Sequence, residues 1–213
     1  MNKKYLNAQE NFLQALENHK KNNIQSAENY YKEALKLNPH HFEANYYLAG
    51  LLVQTNNFSS AKLLFEKAIQ IKPDFVESHY NLGVILYELG EYQKAVSSYE
   101  KAIKIQPNHL KSYNNLGTLL KQLNENEKAI NYFEKAIQIK PDFVEAHYNI
   151  GVIFSGIEEY QKAISYFEKV IQIKPDYVKS YFYLGVIFPE LKNYQKAINY
   201  YEKVIKIQPN YID

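Results

Sequence analysis

The stretch that decides the fold is residues 76–109, which read VESHYNLGVILYELGEYQKAVSSYEKAIKIQPNH. The same pattern returns along the chain with a period of 34 residues, and six of the seven prolines mark it. These prolines are Pro39, Pro73, Pro107, Pro141, Pro175 and Pro209. A fixed period of about 20–50 residues is typical of stacked-repeat proteins. Such proteins work by presenting a surface, so the sequence favours a binding groove over a catalytic cleft.

Each period carries two apolar patterns at helical spacing. Leu82 and Leu86 lie four positions apart, which places them on one face of a first helix. Ala95 and Tyr99 share one face of a second helix in the same way. Gly90 lies between the two patterns and permits the left-handed backbone that ends a helix. Each period is therefore a helix–turn–helix hairpin that must stack on its neighbours to bury its apolar sides.

Small residues and turn residues also recur with the period. Three other repeats carry Asn at the position equivalent to Gly90, namely Asn22, Asn56 and Asn124. Asn also tolerates the left-handed conformation. Ala or Gly is expected where the two helices of a hairpin cross, because a larger side chain would push them apart. These positions are Ala61, Ala95, Ala129, Ala163 and Ala197 on second helices, and Gly83, Gly117, Gly151 and Gly185 on first helices.

The period divides the chain into a lead-in, residues 1–7, six repeats, and residues 212–213, which begin a further repeat or a cap. The six repeats are residues 8–41, 42–75, 76–109, 110–143, 144–177 and 178–211. Pro189 falls outside the proline series, late in the first helix of the sixth repeat. Because proline lacks a backbone donor, it is predicted to kink or shorten that helix.

The pattern resembles the tetratricopeptide repeat family over residues 8–211. Leu-Gly pairs, repeated Ala, an aromatic residue and proline fit the family signature, but its Trp is absent. Asn45, His79, Tyr113, His147 and Tyr181 stand in its place. The resemblance implies an all-α fold, an α-solenoid in which six hairpins form a right-handed superhelix. Pentatricopeptide, armadillo and HEAT repeats have longer periods and fit less well.

In this family the first helices line a concave groove that binds a protein or peptide partner. The corresponding positions in this sequence are Tyr46, Tyr47, Tyr80, Asn81, Tyr87, Asn114, Asn115, Tyr148, Asn149, Phe182 and Tyr183. Asn81, Asn115 and Asn149 share one position in three successive repeats. They resemble the asparagine ladder of O-linked N-acetylglucosamine transferases, whose amides hold an extended polypeptide. An amide supplies a donor and an acceptor to any peptide backbone.

Two alternatives stay open for these residues. Asn and Tyr are frequent throughout the chain, so the asparagine row can reflect composition alone, and we expect about half of the aromatics to pack between helices. A two-carboxylate clamp, with which some family members grip the C-termini of heat-shock chaperones, is not predicted. Tyr46 and Gly50 occupy the positions that need Lys and Asn, and the chain has no Arg.

Composition argues against several other functions. The net charge is +2, with 25 basic residues, all Lys, mixed among 23 acidic residues, so nucleic-acid binding is not predicted. Cysteine is absent, which excludes thiol nucleophiles and Cys-ligated metals. His79 and His147 lie two repeats apart and are expected to pack rather than to share a metal ion. We predict a cytoplasmic protein that is not an enzyme, with no catalytic residue, metal, cofactor or membrane segment.

Three functional hypotheses follow. The first is a scaffold that binds an extended peptide or a partner helix in the groove. The second is a non-catalytic arm that recruits substrates for a larger glycosyltransferase or sulfotransferase, truncated at Asp213. The third is a homo-oligomer formed through the C-terminal end, because solenoids need polar caps and the last helix has a bare apolar side. That side is predicted to comprise Ala197, Tyr201, Val204 and Ile205.

Overall fold

The described part of the chain consists of twelve α-helices joined by short turns. The computed structural model describes the backbone of residues 3–211 and the side chains of residues 7–211, so the predicted segment 212–213 lies outside it. The helices are α1 (Lys3–Lys20), α2 (Ile24–Leu37), α3 (Phe42–Gln54), α4 (Phe58–Ile71), α5 (Val76–Glu88), α6 (Tyr92–Ile105), α7 (Leu110–Gln122), α8 (Asn126–Ile139), α9 (Val144–Gly156), α10 (Tyr160–Ile173), α11 (Val178–Glu190) and α12 (Tyr194–Ile207).

Consecutive helices pair into hairpins, and the predicted all-α solenoid of helical repeats is confirmed. Helix α3 packs on α4, and α5 packs on α6. Neighbouring hairpins also contact each other, as α4 does with α5 and α10 does with α11. Helix α1 begins at Lys3, so it includes part of the predicted lead-in. The chain divides after Ser112 into two compact units, which are described separately below.

Proline determines where the second helices end. The residue before a proline is pushed away from the helical conformation towards an extended one. Lys140, which precedes Pro141, has φ −135° and ψ 94°, and α8 ends one residue earlier at Ile139. Helices α4 and α10 end in the same way before their prolines. The prolines therefore set the length of the repeat.

The turn inside each hairpin passes through one residue in the left-handed conformation. Gly90 has φ 74°, and Asn takes this conformation at the three positions where the sequence predicts it, Asn22, Asn56 and Asn124. Glu158 and Lys192 occupy the same position in the last two hairpins, with φ 63° and 58°. Neither residue type indicates a left-handed turn, so only the period could have predicted these two.

The small residues lie at the helix crossings, as predicted. A Cβ atom added to Gly83 would meet Tyr99 Cε1 at 2.6 Å, and one added to Gly151 would meet Phe167 Cε1 at 2.8 Å. The same arrangement recurs at Gly117 and Gly185. On the opposing helices the alanines are fully or almost fully buried. In these four hairpins the ring of the second helix thus lies directly on the glycine of the first helix.

Pro189 does not shorten its helix. Helix α11 runs from Val178 to Glu190 and has 13 residues. Helix α5, the first helix of the third repeat, has the same length. Pro189 is the second-last residue of α11, so the donor that it lacks would serve only the last turn. The predicted shortening is therefore wrong, because a proline at the end of a helix removes a single hydrogen bond.

Candidate peptide-binding surface

One side of the first helices carries the residues that the sequence assigns to a groove, and we call their side chains the first-helix surface. Positions are counted from the start of each repeat, so Tyr46 is position 5 and Tyr47 is position 6 of the repeat that begins at Phe42. Both compact units present this surface, and each is built from the same pair of positions.

Aromatic rings at position 5 pack against an aromatic ring that precedes the next first helix. The contacts are mostly edge-to-face, a favourable geometry for aromatic pairs. In the first compact unit the ring centroids are 5.2 Å apart for Tyr46 and Phe75 and 5.3 Å apart for Tyr80 and His109. In the second they are 5.3 Å apart for Tyr148 and Tyr177. Phe182 makes a similar contact with Tyr211, which follows α12, at 5.7 Å. The rings at position 5 are half-buried, so part of each remains accessible.

In the first unit, Asn81 is hydrogen-bonded to the preceding hairpin. Its Nδ2 donates to the Tyr46 hydroxyl at 3.2 Å. Burial raises the pKa of Tyr46, which is therefore a neutral hydroxyl at physiological pH. Tyr47 is exposed and lies 6.0 Å from the Phe12 ring. The structure thus brings Tyr46, Tyr47 and Asn81 together on adjacent hairpins.

Tyr80 and Tyr87 lie on α5, one helix further along the chain. Tyr80 packs on His109, whose Nδ1 is 2.8 Å from Ser112 Oγ. Burial lowers the pKa of His109, which favours the neutral ring. Tyr87 packs on Tyr92 across the turn within its hairpin, with centroids 5.7 Å apart. Tyr87 therefore contributes to the turn of its own hairpin, whereas Tyr80 contributes to the stacking of two hairpins.

In the second unit, Asn149 uses both ends of its amide within the chain. Its Oδ1 accepts a hydrogen bond from Lys121 Nζ at 2.7 Å, and its Nδ2 donates to the Glu145 carbonyl at 3.0 Å. Burial lowers the pKa of Lys121. A peptide backbone that bonded to Asn149 would replace Lys121 as its partner. The sequence did not predict this pair, because it depends on the reach of a lysine from one hairpin to the next.

Tyr148 and Tyr183 form an aromatic cluster over Phe167. The Tyr183 ring stacks on Phe167 at 5.0 Å between centroids, and Tyr148 lies 5.9 Å from each of these rings. Burial, followed by the neighbouring tyrosines, raises the pKa of Tyr148. Both tyrosines remain half-buried at the surface.

Asn114 and Asn115 lie on α7, and both are half-buried. The Asn114 Oδ1 atom is buried and has no hydrogen-bond partner among the described residues. A buried acceptor without a partner is uncommon in a folded protein. Asn114 replaces the aromatic residue that the other first helices from α3 onwards carry at position 5, so the row of rings is interrupted here.

The residues in the place of the family's Trp bind the preceding proline turn. His79 Nε2 lies 2.7 Å from the Pro73 carbonyl, and His147 Nε2 lies 2.9 Å from the Pro141 carbonyl. Asn45 and Tyr181 make the equivalent contact at 3.0 Å in their own repeats. Both histidines are buried, and each ring lies at the junction of two hairpins, beside the proline turn.

Among the described residues, no three His, Asp or Glu side chains cluster closely enough to hold a metal ion. None of the helices in that part of the chain is long and apolar enough to cross a membrane.

Comparison with known protein families decides the classification. Two family models described as tetratricopeptide repeat match residues 75–142 and residues 114–178. The chain is a tetratricopeptide repeat protein. A model described as subunit 3 of the anaphase-promoting complex, or cyclosome, matches residues 20–102 of this repeat protein. A model described as regulator of microtubule dynamics protein 1-3 matches residues 148–213.

Solved structures of other repeat proteins are similar over most of the chain. The MamA protein is 25% identical with a TM-score of 0.76, covering 81% of this chain and 94% of MamA. YrrB, described as a tetratricopeptide repeat protein with an unusual peptide-binding site, is 23% identical with a TM-score of 0.69, covering 85% and 93%. A tetratricopeptide repeat protein from Parabacteroides merdae is 19% identical with a TM-score of 0.81, covering 94% and 80%. No curated protein sequence matches this chain.

Proposed function

We propose that this tetratricopeptide repeat protein is a non-enzymatic scaffold that binds an extended peptide or a partner helix along the first-helix surface. The observation that carries the proposal is the pairing of a half-buried ring at position 5 with an amide at position 6, which occurs in both compact units, at Tyr80 with Asn81 and at Tyr148 with Asn149. Rings that are already held in place bind a partner at a small cost in side-chain entropy. The amides of Asn81, Asn115 and Asn149 would hold the backbone of the partner, and the aromatic rings would contact its side chains.

The intramolecular bonds of two amides fit this function. Asn81 bonds to a neutral tyrosine and Asn149 to a half-buried lysine, and both partners belong to the preceding hairpin. Such bonds hold the amides in defined rotamers before a partner binds. When a peptide backbone takes the place of these partners, the Tyr46 hydroxyl and the Lys121 ammonium can bond to water instead, so the bonds from the amides to the peptide contribute to binding together with the rings that the peptide covers.

The test uses peptides selected from a random 12-residue display library on the wild-type protein. Dissociation constants are then measured by fluorescence anisotropy for the variant Asn81→Ala, Asn115→Ala, Asn149→Ala. Loss of three hydrogen bonds at about 1 kcal/mol each weakens binding by about 100-fold. The control replaces three exposed asparagines outside the first helices, Asn108, Asn131 and Asn199, and is expected to bind like wild type. If the triple Asn→Ala variant folds and binds the peptides as tightly as wild type does, the asparagine row takes no part in binding.

A specific observation favours self-association as a second candidate function. Ile198 on α12 is 51% exposed, whereas Ile164, at the same position of α10, is 8% exposed because α11 covers it. Ile205 is 62% exposed. The predicted bare side is corrected in part, because Ala197 and Val204 are buried within the described hairpin. The exposed apolar stripe instead comprises Tyr194, Ile198 and Ile205.

A second copy of the chain would cover this stripe in a homo-oligomer. A following hairpin, as in the recruiting arm of a larger transferase, would cover the same face. Size-exclusion chromatography with light scattering distinguishes these occupants. The 213-residue chain is expected to associate as its concentration rises. The double variant Ile198→Lys, Ile205→Lys is expected to remain monomeric. Ile157→Lys changes an exposed isoleucine elsewhere and is the control. A wild-type chain that is monomeric at all concentrations would contradict self-association.

A further inference from the structure

One first helix, α7, differs from the others on the first-helix surface. At positions 5, 9 and 12 it carries Asn114, Thr118 and Lys121, and all three side chains are half-buried. These positions are four and three residues apart, so they share one face of the helix. At position 5 the other five repeats carry Tyr or Phe, and at position 9 they carry Leu, Gly or Val. At position 12 they carry His, Val, Tyr, Ser or Pro, so the lysine occurs in α7 alone.

Lys121 brings a positive charge to this surface without an acidic partner. Its Nζ donates a hydrogen bond to the neutral amide of Asn149, and it makes no ion pair with any residue among positions 7–211. Burial lowers the pKa of Lys121, whereas the hydrogen bond to Glu91 raises the pKa of Lys94. The Lys121 ammonium is thus partly removed from water, and no carboxylate among the described residues compensates for this.

The acidic residue closest to Asn149 along α9 is Glu145, one helical turn earlier. Its backbone carbonyl accepts a hydrogen bond from Asn149 Nδ2. Burial, followed by the negative charge of Glu145, raises the pKa of Tyr177, which precedes α11. The Glu145 carboxylate therefore lies close enough to Tyr177 to act on its hydroxyl, and it does not neutralise Lys121.

A peptide that covers Tyr148 and Asn149 also covers Lys121, since the ammonium lies 2.7 Å from the amide oxygen of Asn149. Water can bond to this ammonium beneath a peptide, but it supplies no counter-charge. Covering an ammonium without a counter-charge costs free energy, and a partner that supplies the counter-charge avoids this cost. We propose that an Asp or Glu side chain of the bound peptide pairs with Lys121, an inference that rests on the proposed function of the first-helix surface.

A carboxylate fits Lys121 better than a phosphate group does. A phosphorylated side chain carries a charge of about −1.5 to −2 at pH 7, and arginine is the residue best suited to bind it. The chain has no Arg. Burial lowers the pKa of Lys121 without help from a neighbouring cation among the described residues, so the surface offers one positive charge at this point. The single negative charge of a carboxylate matches it.

The test starts from the 12-residue display library, with each peptide joined to its carrier through its C-terminus. Peptides whose binding the triple Asn→Ala variant weakens are kept, because they use the first-helix surface. They are expected to share an Asp or Glu at one position. A second selection on Lys121→Glu is expected to yield Lys or Arg at that position, because the charge of the surface is reversed there.

Dissociation constants from fluorescence anisotropy then give a double-mutant cycle for one selected peptide. Replacing its acidic residue with the corresponding amide is expected to weaken binding to wild type about tenfold, because a charge-assisted hydrogen bond is lost. The same replacement is expected to have almost no effect on binding to Lys121→Met, which lacks the charge. Lys169→Met changes an exposed lysine on α10 and, as the control, is expected to keep the full difference.

Several outcomes would overturn the pairing with Lys121 and leave the proposed function standing. They are the absence of a shared acidic residue, an equal effect of the amide replacement on wild type and Lys121→Met, and tighter binding of a phosphoserine peptide. Equally tight binding of a neutral peptide that ends at the shared position with a free carboxylate would overturn the assignment to a side chain. A library that yields no peptide dependent on the asparagines would overturn the asparagine row and the Lys121 pairing together.

Discussion

On four of the first helices a glycine lies so close to the ring of the second helix that a side chain would overlap it, whereas α1 and α3 carry the buried residues Ala15 and Ala49 at that position. At Gly83 the space that a Cβ atom would need is occupied by Tyr99, which is itself buried. At Gly50, on α3, no atom lies within 4 Å of a Cβ atom added to that glycine. The two glycines look alike in the sequence and have opposite structural roles. The difference lies in the neighbouring ring, which only the folded hairpin brings into contact.

We expect Gly83→Ala to destabilise the protein by about 1–3 kcal/mol, because the added methyl group overlaps the Tyr99 ring. Gly50→Ala is the matched control. It adds the same methyl group to a helix without a contact and is expected to stabilise the protein by about 0.5–1 kcal/mol. Urea denaturation followed by circular dichroism measures both. A loss of stability in both variants would show that the contact with Tyr99 is not the cause.

The turn position shows which residues the sequence could predict. Gly90 and the three asparagines indicate a left-handed residue by their own chemistry. Glu158 and Lys192 adopt the same conformation because the packing of their hairpins imposes it, at a local cost of about 1–2 kcal/mol. The period assigns all of these turns to one position, and the residue type alone would miss these two.

At the scale of the helix, His41 joins the first hairpin to the second. Its Nδ1 accepts a hydrogen bond from the Ala44 backbone N–H at 3.3 Å, which caps the start of α3. Its Nε2 lies 2.9 Å from Gln9 Oε1 on α1, and its ring packs on Phe12 at 4.9 Å. The neutral ring satisfies both contacts, since Nδ1 accepts and Nε2–H donates. A protonated ring could not accept the bond that caps α3.

Burial lowers the pKa of His41, although Glu43 opposes this effect and Lys72 supports it. The unfolded chain therefore binds a proton at a higher pH than the folded chain does. Stability from His41 is complete above the unfolded pKa of about 6.5 and is lost as the pH falls from there towards the folded pKa. We expect the midpoint of urea denaturation to fall between pH 7.5 and 5.5, and to fall less in His41→Asn, which keeps a capping side chain.

His40→Asn is the control for this experiment, because it changes the exposed neighbour in the same turn. It is expected to keep the pH dependence of wild type. His109 also has a pKa that burial lowers, so some pH dependence remains in every variant. A His41→Asn variant with the full wild-type pH dependence would assign the effect to other groups.

The helices themselves were largely predictable, and the contacts between them only partly. Prolines and turn residues predict where helices end, because their effects are local. The ring pairs such as Tyr148 with Tyr177 follow the period, so they are implied by any one repeat. The bond between Lys121 and Asn149 does not follow the period, because no other described repeat carries this pair of residues at these positions. The contacts that differ from one hairpin to another are therefore the ones that the sequence predicts least well.

At the scale of the whole molecule, stability comes from contacts between consecutive hairpins. Within the first compact unit α2 contacts α3 and α4 contacts α5, and within the second α8 contacts α9 and α10 contacts α11. The stability of such a protein is approximately the sum of the hairpin stabilities and the contacts between nearest neighbours. A local defect then weakens its own hairpin and the adjoining ones, and distant hairpins remain protected.

Gly151→Ala tests this expectation, because a Cβ atom there would lie 2.8 Å from Phe167 in the fifth hairpin. We expect faster amide hydrogen exchange in residues 110–207, where the altered hairpin and its two neighbours lie, and little change in residues 8–71. Exchange measured by mass spectrometry on peptic fragments resolves these regions. Gly156→Ala, at a position with no atom within 4 Å, is the control in the same helix. An equal rise in exchange in both regions would mean that the six hairpins unfold as one cooperative unit, since a nearest-neighbour array confines the effect to the hairpins beside the defect.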